Sequence, residues 1–246
     1  MGFLFPGPAS LSSSHGLWVP LPPSVALARR ERRLVLKNRK PGYFVTGTDT
    51  GVGKSVAAAK LLQQLDGDYW KPIQSGLEEE IDTRVVQHLS GLPDSRFHPS
   101  TYNLTQPLSP HESARRDGVV IDMTAFVPPT PPRPLIIEGA GGVMVPLNDS
   151  AMMVDLMVQL DYPVLLVARS TLGTINHTLL SLALLKNRGV TVAGVILNGP
   201  LNAANREAIE QFGQVSVVME IPHLTPLTPG SLGDFNPPLS LPGHTP

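Results

Sequence analysis

Gly47-Thr48-Asp49-Thr50-Gly51-Val52-Gly53-Lys54-Ser55 lies between a short β-rich run, Tyr43-Phe44-Val45-Thr46, and a segment from Lys54 to Leu65 with the apolar spacing of a helix. This order of strand, glycine-rich loop and helix constrains the chain more than any other feature. Glycines let backbone N–H groups converge on a phosphate chain at positive φ, and the helix that follows adds the positive end of its dipole. Lys54 would reach the β- and γ-phosphates, and the Ser55 hydroxyl would sit on Mg²⁺. The spacing departs from the common motif. Five residues separate Gly47 from Gly53 where four are usual, and Thr48 holds the first-glycine place. An accidental glycine-rich turn is the alternative reading.

Beyond the loop, strand-like and helix-like segments alternate. Asp68 to Lys71 reads as a strand and Ile81 to Leu89 as a helix. Residues 91–111 read as loop, and Leu135-Ile136-Ile137 as a strand closed by Glu138. Met152 to Leu160, Thr174 to Arg188 and Asn202 to Phe212 read as helices. Pro163 to Ala168, Thr191 to Leu197 and Val215 to Met219 read as strands, the first a continuous apolar run of the kind covered on both faces. The pattern predicts an α/β fold: a single domain with a mostly parallel sheet flanked by helices, P-loop NTPase-like, spanning 41–224. In such sheets ligands bind at the carboxyl ends of the strands.

Composition narrows the classes. The chain has no cysteine, which excludes disulfides, thiolate metal sites and cysteine nucleophiles. No stretch approaches the roughly 18 apolar residues that a membrane span needs. Proline, at 26 of 246 residues, is about twice its average usage. Twelve of these prolines fall in residues 1–40 and 222–246, so both ends are expected to be poorly ordered. Residues 1–40 carry seven Lys or Arg against the single acid Glu31, a basic Pro/Ser-rich arm, and 225–246 form a Pro-rich tail. The remaining 206 residues carry 12 basic and 19 acidic groups, a balance against nucleic-acid binding. The expected location is cytoplasmic.

Other candidate residues sit at strand ends. Lys71, beside Pro72, would point into the crevice of the glycine-rich loop, unless it is an ordinary solvated charge. Glu138, followed by Gly139-Ala140-Gly141-Gly142, is placed to hold Mg²⁺. Asp82 could supply a second oxygen or cap its helix, and the preceding Glu78-Glu79-Glu80 reads as a solvated loop. Gly173-Thr174-Ile175-Asn176 opens a helix whose free N–H groups suit a carboxylate. His177 could act as a base, or be a packed or hydrogen-bonding histidine. Asn198 could match an adenine edge or form an Asn-Gly-Pro turn with Gly199 and Pro200.

Six strings read together resemble dethiobiotin synthetase, an ATP-dependent family of biotin synthesis. They are Phe44 to Ser55, Trp70-Lys71-Pro72-Ile73-Gln74-Ser75-Gly76, Ser109-Pro110-His111, Glu138-Gly139-Ala140-Gly141-Gly142-Val143, Gly173 to Thr178 and Glu220-Ile221-Pro222. They follow the family's order over residues 42 to about 224, and the unusual loop spacing is the family's own. The resemblance implies a homodimer that converts 7,8-diaminopelargonic acid, CO₂ and ATP to dethiobiotin, ADP and phosphate, by way of a carbamate and a carbamic-phosphoric anhydride.

It also implies roles. Lys71, Lys54 and Thr50 would be catalytic. ATP would bind at Gly51, Val52, Gly53, Lys54, Ser55, Val56, Glu138, Gly139, Ala140, Gly141, Asn198, Gly199, Pro222, His223 and Leu224. The other substrate would meet Thr50, Ser75, Ser109, Pro110, Gly173, Thr174, Ile175 and Asn176, the last four contributed across the dimer. Ser55, Asp82 and Glu138 would hold Mg²⁺. Gly51 replaces a glutamate carried by some members, and five prolines occupy Phe126 to Pro134 where the family has a helix.

Two rivals share the fold class. Amidotransferase synthetases of cobalamin synthesis require a cysteine nucleophile, which this chain lacks. Switch ATPases of chromosome partitioning or septum placement carry an early lysine in the loop, where this chain has Asp49. Lys71→Ala is expected to abolish turnover and spare the fold, because Lys71 is read as a loop residue carrying charge and no core volume.

Overall fold

In the computed structural model of the chain, residues 42–77, 81–237, 239 and 241 are described. The basic arm 1–40 and the Glu78-Glu79-Glu80 run lie outside them.

Seven strands form the main sheet, in the spatial order β4-β2-β6-β1-β7-β8-β9. They are β1 (Gly42–Gly47), β2 (Asp68–Trp70), β4 (Phe97–His98), β6 (Leu135–Gly142), β7 (Val164–Arg169), β8 (Val192–Asn198) and β9 (Val217–Ile221). All their pairings are parallel. A second, two-stranded parallel sheet joins β3 (Ile73–Ser75) to β5 (Tyr102–Leu104). The helices are α1 (Lys54–Leu65), α2 (Asp82–Ser90), α3 (Pro110–Asp117), α4 (Met153–Leu160), α5 (Thr174–Asn187), α6 (Ala203–Gly213) and α7 (Pro229–Asp234). Among the described residues no helix is long and apolar enough to cross a membrane.

The period-two geometry of a strand divides the core between the two faces of the sheet. Phe44, Leu135, Ile137, Leu166 and Val195 enter one apolar cluster, while Tyr43, Val45, Ile136, Leu165 and Ile196 enter the other. Every residue of β1 is buried, as a strand covered on both faces requires. The chain leaves β1 for β2 and β6 on one side and later crosses to β7 on the other. The order therefore reverses beside β1, where open α/β sheets place their ligands.

Several local readings change. Residues 91–111 are not all loop: β4, β5 and the start of α3 lie within them, the strands too short to show a period. The β6 strand does not close at Glu138 but runs on to Gly142. The tail is not loose at its start. α7 is capped by the Thr228 side chain, which accepts from the Ser231 N–H, and Leu232 is fully buried against the α1 side of the core. Lys60 of α1, itself buried, donates to the Leu232 carbonyl at 3.0 Å, and Gln64 donates to the Pro237 carbonyl at 2.9 Å.

Candidate active site

Helix α1 begins at Gly53, which takes φ 94° and offers no side-chain cap. Its first N–H groups are left for a ligand, the condition an anion site needs. Lys54 is buried and donates to the Asp49 carbonyl at 3.2 Å, so the ammonium curls back over the loop. Burial lowers its pKa, partly offset by Glu138 and reinforced by Lys71. Asp49 is itself anchored: Oδ1 accepts the Thr50 N–H at 2.7 Å and Oδ2 pairs with Arg169, at the end of β7, at 2.5 Å.

Opposite the loop, Lys71 follows β2 directly and is 2% exposed. It is therefore no solvated charge. Its Nζ lies 2.9 Å from Asp82 Oδ2 and 3.3 Å from Glu138 Oε1. Burial alone would lower its pKa, but Glu138 and Asp82 outweigh burial and the net shift is upward. Asp82 shows the converse: burial would raise it, and Lys71 with its hydrogen bond holds the carboxyl below the ordinary range. The capping alternative for Asp82 is excluded, because Ile81 is the N-cap of α2 and Asp82 is the first helical residue.

Ser55 Oγ lies 3.0 Å from Glu138 Oε1 and 3.1 Å from Asp82 Oδ1. One hydroxyl and two carboxylate oxygens thus converge on one spot, a hard oxygen donor set. Among the described residues no group of three or more His, Asp or Glu could hold a metal alone. The set matches Mg²⁺ in the way that cation is commonly bound, by one or two carboxylates with substrate phosphates completing the shell.

A cleft of about 490 Å³ lies beside these groups, and its lining includes Thr50, Gly51, Gly53, Lys54, Ser55 and Val56 of the loop. Lys71, Ser75, Asp82, Ser109, Pro110, Ala140 and Gly141 line it as well. Gln74 and Ser75 also border it, and Gln74 Oε1 and Ser75 Oγ have no hydrogen-bond partner among the described residues. Polar atoms buried in this way ordinarily have partners, so the two oxygens stand ready for a ligand.

The rest of the expected site lies elsewhere. Asn198 ends β8 and donates from Nδ2 to the Val52 carbonyl at 3.1 Å. The Gly199 N–H donates to Ile221 O at 2.8 Å, which brings Pro222-His223-Leu224 beside Asn198 on the flank of the loop. Gly173-Thr174-Ile175-Asn176 opens α5 and does not line the cleft. His177 is exposed, not packed, in a shallower groove of about 320 Å³ with Thr48, Asp49, Met144 and Leu180. Sequence reading assigned no part to Tyr69, Gln74 or Arg169. For Tyr69 the signal was strand parity: in register with Ile136, it shares a sheet face with Glu138 two residues on.

A parallel sheet whose central strand feeds a glycine-rich loop, with a lysine, a serine and two carboxylates gathered at its carboxyl edge, defines a P-loop nucleotide-binding α/β protein. The AAA domain family matches residues 41–231. Among curated proteins, ATP-dependent dethiobiotin synthetase BioD of Paramagnetospirillum magneticum is 52% identical over 197 residues, 80% of this chain and 95% of that protein. The protein of the same name from Agrobacterium fabrum is 47% identical over 190 residues, 77% of this chain and 90% of its own length. The chain belongs to this family, the ATP-dependent dethiobiotin synthetases. Among solved structures, a ParA family ATPase from Chlorobium tepidum TLS aligns at 17% identity with a TM-score of 0.49, covering 78% of this chain and 90% of that one. That likeness carries no functional argument.

Proposed function

We propose that the cleft between the glycine-rich loop and Lys71 is where this dethiobiotin synthetase joins 7,8-diaminopelargonic acid, CO₂ and ATP. The observation that carries the reading is Lys71, a buried ammonium that opens on the same cleft as Lys54. One neutral amine of the diamine attacks CO₂, forming the N–C bond of a carbamate and releasing a proton. A carbamate oxygen then takes the γ-phosphoryl group, and the bond to ADP breaks. The second amine attacks the carbonyl carbon of this mixed anhydride, closing the cyclic urea and expelling phosphate with loss of a proton.

Each step concentrates negative charge where the chain places cations. Two lysines disfavour the protonated form of an amine bound beside them, and they stabilise the carbamate and the transferring phosphoryl group. No dedicated base is needed, so positioning and electrostatics supply most of the rate. Thr50 and Ser75 hydrogen-bond the carbamate end, and Ser109 and Pro110 form the opposite wall. The loop from Gly51 to Val56 and the Glu138–Gly141 strand end hold the phosphates. Asn198, Gly199 and Pro222–Leu224 flank the base.

Ser55, Asp82 and Glu138 would hold Mg²⁺, which when bound neutralises phosphate charge. The Gly173–Asn176 helix start, which does not line its own cleft, serves the substrate carboxylate of a second copy. Support for a homodimer comes from exposed apolar residues on that side: Leu172, Leu180 at 63% exposure and Met144 at 55%.

The test is ADP release from MgATP with the diamine alone, bicarbonate alone and both. Release requiring both is expected for the native chain, as is a loss of at least about a hundredfold in Lys71→Met with ADP binding retained. Release indifferent to either addition would refute the reading.

A further inference from the structure

The two oxygens of Glu138 face different surroundings. Oε1 faces two residues that line the cleft, 3.0 Å from Ser55 Oγ and 3.3 Å from Lys71 Nζ. Oε2 accepts a hydrogen bond from the Tyr69 hydroxyl at 3.0 Å. Tyr69 is fully buried, and its ring lies against Phe97 with centroids 5.6 Å apart.

We propose that Tyr69 is the positioning residue for the divalent cation: by occupying Oε2 of Glu138 it turns Oε1 alone toward Ser55. The proposal rests on the assignment of Mg²⁺ to Ser55, Asp82 and Glu138. Without the hydroxyl, a buried carboxylate would be free to rotate and to turn both oxygens to Lys71. Partners that orient metal-binding carboxylates are typically worth ten- to a hundredfold in metal affinity.

Tyr69→Phe keeps the ring and removes only the hydroxyl. The experiment is Mn²⁺ binding to the full chain with saturating ADP, read by the electron paramagnetic resonance of free Mn²⁺. Tyr69→Phe is expected to weaken Mn²⁺ about tenfold, with the affinity for ADP alone and the KM for the diamine unchanged. Phe97→Leu, which loosens the same ring and keeps the hydroxyl, is expected to bind Mn²⁺ as the native chain does. Unaltered Mn²⁺ binding in Tyr69→Phe overturns the proposal. So does equal weakening in Phe97→Leu at a matched loss of thermal midpoint. If Tyr69→Phe does not fold, 4-fluorophenylalanine in place of Tyr69, which fills the space of the hydroxyl and cannot donate, carries the test: a similar loss is expected, and unaltered affinity overturns the proposal. Native protein that fails to bind Mn²⁺ with ADP would instead overturn the cation assignment beneath it.

Discussion

Lys71 Nζ lies 3.3 Å from Glu138 Oε1, and both side chains are almost wholly withdrawn from solvent, at 3% and 1% exposure. The pair is therefore part of the core as well as part of the site. Two buried charges that satisfy each other add little net stability, but removing one leaves the other uncompensated. The expectation that Lys71→Ala spares the fold is corrected on this ground.

Lys71→Ala should abolish turnover and also lower the unfolding free energy by about 3 kcal/mol. Glu138→Gln in the same chain should recover part of that stability and none of the activity. Denaturant unfolding beside an ADP-release assay checks both effects. Native stability in Lys71→Ala would show that the ammonium is not held as described.

Gly53 takes φ 94°, and an added Cβ would lie 2.1 Å from Asn198 Nδ2. Gly53→Ala must strain the backbone and also displace the amide that bonds the Val52 carbonyl. A cost of about 1–3 kcal/mol is expected from the backbone conformation. Nucleotide affinity should fall with it, because the displaced loop is the phosphate cradle. Calorimetric titration with ADP checks this, and Asn198→Ala in the same background should relieve only the steric part.

Most of the architecture was legible because its determinants are local. The apolar run Val164–Ala168 and the helical spacing from Lys54 to Leu65 encode their own elements, and the loop between β1 and α1 encodes its ligand. The short strands β3, β4 and β5 were not legible, since two or three residues cannot display a period and depend on neighbours for their hydrogen bonds. Helix α3 hid behind prolines, although Pro110 sits at its first position, where the missing N–H is harmless. In the site, the residue types and strand ends were readable, whereas the burial of Lys71 and the hydrogen bond from Tyr69 to Glu138 depend on which strands become neighbours.

The tail gives a third test. Leu232 has no exposed surface, and its carbonyl receives the buried Lys60 ammonium. Leu232→Ala should lower stability by about 2–5 kcal/mol, the range for a buried leucine. Thermal unfolding measures it. A midpoint unchanged from the native chain would mean that the tail is not part of the folded core.

A pH test concerns the helix that carries the Pro110 wall of the cleft. Hydrogen bonds from Arg115 and Arg116 pull the Glu112 carboxyl from 4.5 down to about 2. A lowered carboxyl contributes stability fully above 4.5 and loses it as pH falls toward 2. Carbon-13 titration of Glu112 should therefore show a midpoint near 2, moving upward in Arg115→Gln. An ordinary carboxylate midpoint in the native chain would dissolve the claimed pairing.

The most direct test is a crystal structure of the chain with Mg²⁺, a non-hydrolysable ATP analogue and the diamine soaked with bicarbonate. The account predicts the triphosphate on Gly51–Val56, a cation touching Ser55, Asp82 and Glu138, and the carbamate oxygens against Lys71 and Ser75. A diamine bound with its nitrogens away from Lys71, or a triphosphate off the Gly51–Val56 loop, would contradict it.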